Sequence, residues 1–166
     1  MDEQTISYYS REAKNISDKY NSVSSGIRQF IPTTFVKGMK ILDIGCGSGR
    51  DMANLIEDGY DAYGVDASPE MVQYAQKRHP ELKGKIEEAM LPNLGKPFGG
   101  NFDGILCTAV LMHLPKEELF DAAFDIRGLL KEKGRLLLSI PDNRPDVDEN
   151  FRDSKGRLFN SVRPEY

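Results

Sequence analysis

The chain has 166 residues, 39% of them hydrophobic and 29% charged, enough for one ordinary globular domain with a buried core. Its net charge is −4, and with no long block of lysine and arginine it lacks the electrostatic footprint of a nucleic-acid binder. No apolar run approaches the ~20 residues that a bilayer demands, and MDEQTISYYS lacks the basic and apolar parts of a signal peptide, so a cytoplasmic location without a membrane partner is expected. The two cysteines, Cys46 and Cys107, with only two histidines beside them, argue against a disulfide framework or a metal site.

Residues 1–30 are polar, with Ile6, Tyr9, Ala13, Ile16 and Tyr20 at mostly three- and four-residue spacing. That spacing predicts an amphipathic helix, interrupted near Ser24, Ser25 and Gly26, that can lie over the mouth of the core. The core, residues 31–141, opens on ILDIGCGSGRD, Ile41 to Asp51. Ile41, Leu42 and Ile44 suit a buried strand, Gly45, Gly47 and Gly49 free the backbone, and Met52 to Glu57 reads as a helix. Such a loop lets main-chain atoms approach a ligand, and the helix it opens presents unpaired N–H groups. A dinucleotide fingerprint would need a third glycine where Arg50 stands. Asp43, two residues before Gly45, would repel a pyrophosphate but can accept hydrogen bonds from an ammonium group or a ribose hydroxyl. A cation-bearing cofactor fits this loop better than a dinucleotide.

With a strand ahead of it, the D-x-G-x-G-x-G run of Asp43 to Gly49 resembles motif I of the class I S-adenosylmethionine-dependent methyltransferases. The resemblance implies an α/β fold, a Rossmann-like doubly wound sheet of about five parallel strands with helices on both faces. It also implies S-adenosyl-L-methionine as cofactor, a small-molecule methyl acceptor, and contacts to the cofactor from Asp43, Gly45, Cys46, Gly47 and Gly49. YYSREA resembles the opening of the N-terminal helix that covers the cofactor in such enzymes. Simple packing of Tyr8, Tyr9 and Tyr20 is the other reading of that helix.

After the helix, which should end near Asp58 and Gly59, a second strand from Ala62 to Val65 ends on Asp66, with Ala67 beyond it. An acid at this point of a nucleotide-binding βαβ unit can accept both ribose hydroxyls. Ser68 and Pro69 supply the N-cap and first-turn proline of a helix from Pro69 to Arg78, which should leave Asp66 free for ligand. A third strand is expected from Lys85 to Glu88. The segment EEAMLP resembles the family's adenine-binding stretch, which points to Glu88, rather than Glu87, and to the small residue Ala89. FDGILC, Phe102 to Cys107, reads as a fourth strand whose end flanks the topological switch point, which brings Cys107 and Thr108 near the methionine part of the cofactor. TAVLMHLP then resembles a segment that often carries a histidine near the turn. His113 is either a general base for the acceptor or a structural residue before Pro115 and the helix Lys116 to Leu130. That helix is expected to bury Leu119, Phe120, Ala123, Ile126, Leu129 and Leu130 before a fifth strand, Arg135 to Ile140.

Residues 142–166 mix Arg144, Arg152, Lys155, Arg157 and Arg163 with Asp146, Asp148, Glu149 and Asp153 and read as a solvated polar tail. The family's full domain continues with another helix and two strands, and GRLFN followed by SVRPEY resembles the lead-in to that helix. The tail is therefore expected to mark a truncation, with the apolar edge of strand five open to pairing in a homodimer. Methyl transfer to a small molecule is the expected function. A noncatalytic domain binding S-adenosylmethionine or a partner is the alternative, and an NAD-dependent oxidoreductase ranks below both. The chain has no D/N-P-P-Y/F sequence after strand four and no proline-cysteine pair, which disfavours methylation of nucleic-acid bases.

Overall fold

The computed structural model describes residues 1–141 and 144–160; SVRPEY lies outside the described residues. Two helices open the chain, α1 (Glu3–Arg11) and α2 (Ala13–Asn21), separated at Glu12, and a short α3 (Ile31–Thr34) follows a 3₁₀ turn. The single N-terminal helix expected from the spacing is thus broken into two, because Glu12 leaves the helical conformation (φ −98°, ψ 11°). The core then alternates β1 (Lys40–Ile44), α4 (Arg50–Glu57), β2 (Asp61–Asp66), α5 (Pro69–Arg78), β3 (Ile86–Glu88), β4 (Phe102–Thr108), α6 (Leu119–Leu129) and β5 (Leu130–Ser139). All strand pairs are parallel, in the order β3-β2-β1-β4-β5. β1 and β4 are adjacent while their outgoing connections diverge, which is the switch point where open α/β sheets bind ligands.

Both sheet faces are covered, so the strands read as apolar runs. Leu42, Ile44, Val65, Ile105 and Cys107 point to one face, where they meet Ala122, Ile126 and Leu129 of α6. Ile41, Ala62 and Leu106 point to the other, against Ile27, Ile31, Phe35 and Leu55. Losing a large side chain from either layer should cost about 2–5 kcal/mol.

Three local expectations are corrected. α6 begins after a 3₁₀ turn at Lys116–Glu118 and buries the stripe Ala122, Ile126 and Leu129, so Phe120 (78% exposed) and Ala123 rotate away from the sheet. β5 pairs with β4 in regular register from Arg135 to Ser139, but a bulge opposite Phe102 and Gly104 carries its start back to Leu130. Residues 144–160 are not a solvated tail. Leu158, Phe159 and Asn160 are buried, the Asn160 N–H donates to the Met112 carbonyl at 2.8 Å, and the Leu158 N–H donates to Thr5 Oγ1 at 2.9 Å. Arg152 also forks onto Asp2 at 2.7 and 3.1 Å. That pair holds Asp2 down to about 2 although burial acts the other way. Arg152, and Lys155 through its 3.1 Å bond to Tyr8 Oη, tie the segment to α1.

On β4, Gly104 leaves room for the Phe35 ring: a Cβ there would lie 2.6 and 2.7 Å from two ring carbons. Gly104→Ala is expected to destabilise the fold by about 1–3 kcal/mol, read by denaturant unfolding, with Phe35→Leu in the same chain recovering part of the loss. An unchanged midpoint in Gly104→Ala would mean that the ring is not held there.

Candidate functional site

A cavity of ≈ 420 Å³ lies at the C-terminal ends of β1, β2 and β4. Such a volume is within the range of small-molecule sites. The glycine loop after β1 forms its floor. Gly47 lines the cavity with φ +53°, and its N–H donates to Asp66 Oδ2 at 2.8 Å. Gly49 serves otherwise. It caps α4 in the left-handed conformation, and a Cβ there would run into Leu82 (2.7 Å) and Ala75 (3.2 Å), so it fits the loop against α5 and does not line the cavity.

Asp66 ends β2 where the sequence put it, but it is not free. Its Oδ2 accepts from Gly47 and its Oδ1 from the Ser68 N–H at 2.9 Å, while Ser68 Oγ caps α5 by accepting from Met71 N–H. Capping by Ser68 therefore does not release Asp66; the same turn delivers Ser68's own N–H to the carboxylate. A carboxylate has about four acceptor positions, so Asp66 keeps capacity toward the cavity. Burial raises its pKa, opposed by these backbone donors.

Asp43 is the less satisfied acid. It is 3% exposed, lines the cavity, and its carboxylate has no hydrogen-bond donor among the described residues. Burial pushes its pKa well above the usual carboxylate range, and the neighbouring Asp51 and Asp66 push it further. Asp51 has a partner, since Arg50 Nε and Nη2 reach it at 3.2 and 3.0 Å. Arg50 Nη1 also donates to the Tyr20 and Val23 carbonyls, fastening the N-terminal segment to the start of α4. The residue that breaks the dinucleotide pattern is thus a clasp. Thr108, at the end of β4, lines the same cavity and its buried Oγ1 has no partner among the described residues.

Gly45, Cys46, Ala67 and Ala89 also line the cavity. Glu88 is exposed and Cys107 is wholly buried in the core, and neither is among the lining residues. β3 is a short strand at the sheet edge that leaves both Glu87 and Glu88 exposed, and Ala89, Met90 and Leu91 form that wall instead. Burial, with Asp43 adding to it, pushes the Cys107 thiol up to about 12.

His113 lines the cavity but is not a poised base. Its Nδ1 lies 2.5 Å from the Leu158 carbonyl, which can only accept, so Nδ1 carries the proton and Nε2 faces Tyr9 Oη at 3.3 Å as acceptor. Burial holds its pKa down to about 4, with Arg157 adding to the effect against the Leu158 hydrogen bond. The ring is neutral near pH 7 and its lone pair is engaged, so the expected general base is replaced by a residue that positions Tyr9. Burial raises the Tyr9 hydroxyl's pKa as well, which keeps it protonated. Tyr9 and Tyr20 place the N-terminal helices on the cavity wall, and Arg144, Arg157 and Phe159 complete it from the C-terminal segment. Those last three were missed because they reach the site through long-range contacts, such as Arg157 with Tyr9 and Phe159 with His113.

An open parallel sheet with a glycine loop after β1, an acid at the tip of β2 and a cavity at the switch point defines a nucleotide-cofactor-binding α/β domain. The sequence profile described as "Methyltransferase domain" matches residues 41–134, and the chain belongs to that family. It is 34% identical over 116 residues to glycine N-methyltransferase of Oryctolagus cuniculus, an alignment covering 60% of this chain and 39% of the relative. It is 36% identical over 105 residues to the mitochondrial ubiquinone biosynthesis O-methyltransferase of Schizosaccharomyces pombe, covering 61% and 38% respectively. The chain thus spans under two fifths of the length of either relative. The solved structure of Burkholderia thailandensis 1,6-didemethyltoxoflavin-N1-methyltransferase, with bound 1,6-didemethyltoxoflavin and S-adenosylhomocysteine, shares the fold. It matches with TM-score 0.69 and 20% identity over 95% of this chain and 70% of that one.

Because the folded pKa of Asp43 is raised, its ionisation works against the fold: stability attributable to it is present at low pH and lost as pH rises from the unfolded value of ~3.9 through the folded one. Asp43→Asn should therefore stabilise the ligand-free chain, and by more at pH 8 than at pH 5. Urea denaturation at the two pH values measures this; equal gains would contradict a buried, uncompensated carboxyl.

Proposed function

We propose that this domain binds S-adenosyl-L-methionine across the ends of β1, β2 and β4 and transfers its methyl group to a small-molecule acceptor. The observation that carries this reading is the pair of unmet needs on the cavity floor: the carboxylate of Asp43 and the hydroxyl of Thr108, neither with a partner among the described residues. A buried acid without a partner is costly, and a cation-bearing ligand removes that cost. A dinucleotide would bring a pyrophosphate toward Asp43 and Asp66 and increase it. Membership of the methyltransferase domain family supports the same cofactor.

When bound, the cofactor supplies a methyl group already activated on a sulfonium. The chain's part is then alignment and exclusion of water. Asp66 would take the ribose hydroxyls on its remaining lone pairs, Asp43 and Thr108 the amino-acid end, and Ala89 to Leu91 the base. Gly45 to Gly47 keep that side open to main-chain contact. Tyr9, held by His113, would face the acceptor and help close the cavity. The names of the relatives point to different acceptors, an amine in one and a quinone precursor in another, so no acceptor is carried over from them.

No helix among the described residues is long and apolar enough to cross a membrane, and the two free cysteines suit a reducing compartment such as the cytoplasm. β5 is the outermost strand described on its side, with Leu136 and Leu138 each 39% exposed. It is the edge on which a second copy would pair.

Calorimetric titration tests the cofactor. S-adenosylmethionine and S-adenosylhomocysteine should bind in the micromolar range and NAD should not. Asp66→Asn should weaken both by at least about tenfold, and Thr108→Val by about three- to tenfold, the worth of one hydrogen bond. Equal affinity for NAD, or no effect of either substitution, would reject the assignment.

A further inference from the structure

The cavity is electrically divided, and the half away from the glycine loop has chemistry of its own. Arg144 and Arg157 both line it. Each guanidinium is fixed from behind by a carboxylate: Arg144 Nε and Nη2 lie 2.7 Å from Asp146, and Arg157 Nε and Nη2 lie 2.9 and 2.6 Å from Asp153. Neither Asp146 nor Asp153 is among the lining residues, so the cavity meets the cations and not their counter-charges. Both guanidiniums also sit over the ring of Phe159, with Cζ 3.7 Å from its centroid for Arg144 and 5.0 Å for Arg157. Stacking and a bidentate pair together fix the orientation of a guanidinium.

What these arginines leave unused is telling. Arg144 Nη1 has no hydrogen-bond partner among the described residues, and Arg157 Nη1 has only a long 3.4 Å contact to Tyr9 Oη. A neutral hydroxyl at that distance is a poor acceptor, which an anion would readily displace. One carboxylate can accept from both Nη1 groups, one on each oxygen. The glycine-loop side carries Asp43 and Asp66, with the Arg50 charge there engaged by Asp51, so an anion placed on that side would meet the two acids.

Building on the proposed function, we propose that Arg144 and Arg157 form the acceptor subsite, and that the methyl acceptor is a small molecule bearing a carboxylate. The carboxylate sits against the two Nη1 groups, and the acceptor's nucleophilic atom is directed toward the β1 and β4 ends. Phe159 and the Tyr9 hydroxyl form the wall of the same subsite, and the size of the cavity, which the cofactor must share, keeps the acceptor small.

The test is a titration, followed by NMR, of the S-adenosylhomocysteine-saturated chain with acetate and benzoate against their neutral isosteres acetamide and benzamide, with inorganic phosphate as a separate arm. At least one carboxylate is expected to bind ten times or more tighter than its amide and tighter than phosphate. Arg144→Gln and Arg157→Gln should each erase that preference. Amides binding as well as carboxylates, phosphate binding tighter than both carboxylates, no binding of either carboxylate, or a preference that survives both substitutions would each overturn the subsite. Arg144→Gln guards against unfolding as the explanation, since the short side-chain hydrogen bonds of Arg144 among the described residues go only to Asp146, two residues away; unchanged circular dichroism is the control. Uptake of S-adenosylhomocysteine by the unaltered chain is read first. If it fails, the cofactor assignment falls, and the carboxylate titration of the ligand-free chain still decides the arginine pair.

Discussion

The carboxylate of Asp66 joins the two turns that form the cavity floor, beside the Gly45 and Cys46 N–H groups that both donate to the Val65 carbonyl. Through Gly47 N–H it holds the loop after β1, and through Ser68 N–H it holds the start of α5. Charge-assisted bonds to backbone amides are among the stronger ones a protein makes, and here they lie at the one place where the sheet's connections diverge. The shape of the cavity floor follows from this. With the loop drawn toward β2, Gly47 faces the cavity while Gly49 turns back against Leu82 and Ala75, and Asp43 is left beneath, buried and without a donor.

The second organising feature is long-range. The segment 144–160 is held to α1 by Arg152 on Asp2 and by Leu158 on Thr5, and to the turn after β4 by Asn160 on Met112 and Leu114. These contacts bring together three pieces of chain far apart in sequence, and Tyr9, His113, Arg157 and Phe159 line the cavity where they meet. His113 shows the consequence. Its tautomer is set by the Leu158 carbonyl, and its low basicity by burial among Phe159 and Tyr9, with Arg157 adding to it against the Leu158 hydrogen bond. The result is a cavity in which Asp43, Asp66 and the Arg50–Asp51 pair come from consecutive βα units, and Arg144 and Arg157 from the segment 144–160.

That division also separates what could be read from the sequence from what could not. The strand into Gly45, the acid on the tip of β2 and the Ser68-Pro69 start of α5 are local patterns, each decided by residues within a few positions, and each stands where the sequence indicated. The errors arose where a partner came from elsewhere. Whether Phe120 or Ala122 faces the sheet depends on where a 3₁₀ turn hands over to α6, and periodicity alone allows either phase. Glu88 closes a short edge strand and stays in solvent while Ala89, in the turn beyond it, lines the cavity, which no pattern within the strand reveals. Arg144 and Arg157 looked like solvated charges because their acidic neighbours along the chain are indeed their partners; that those pairs stand against Phe159 at the edge of a cavity is a tertiary fact. His113 was legible as a site residue, while its protonation state was not.

The most direct check on this account is the protonation state of Asp43. Carbon-13 NMR of its carboxyl group, followed through a pH titration of the ligand-free chain and again with saturating S-adenosylmethionine, reads it without relying on activity. A carboxyl that titrates well above the ordinary range when free, and falls on cofactor binding as a cation arrives beside it, is the expected result. An ordinary value in the free chain, or a raised one that the cofactor leaves unmoved, would contradict the claim that this buried acid is where the cationic end of the ligand is held.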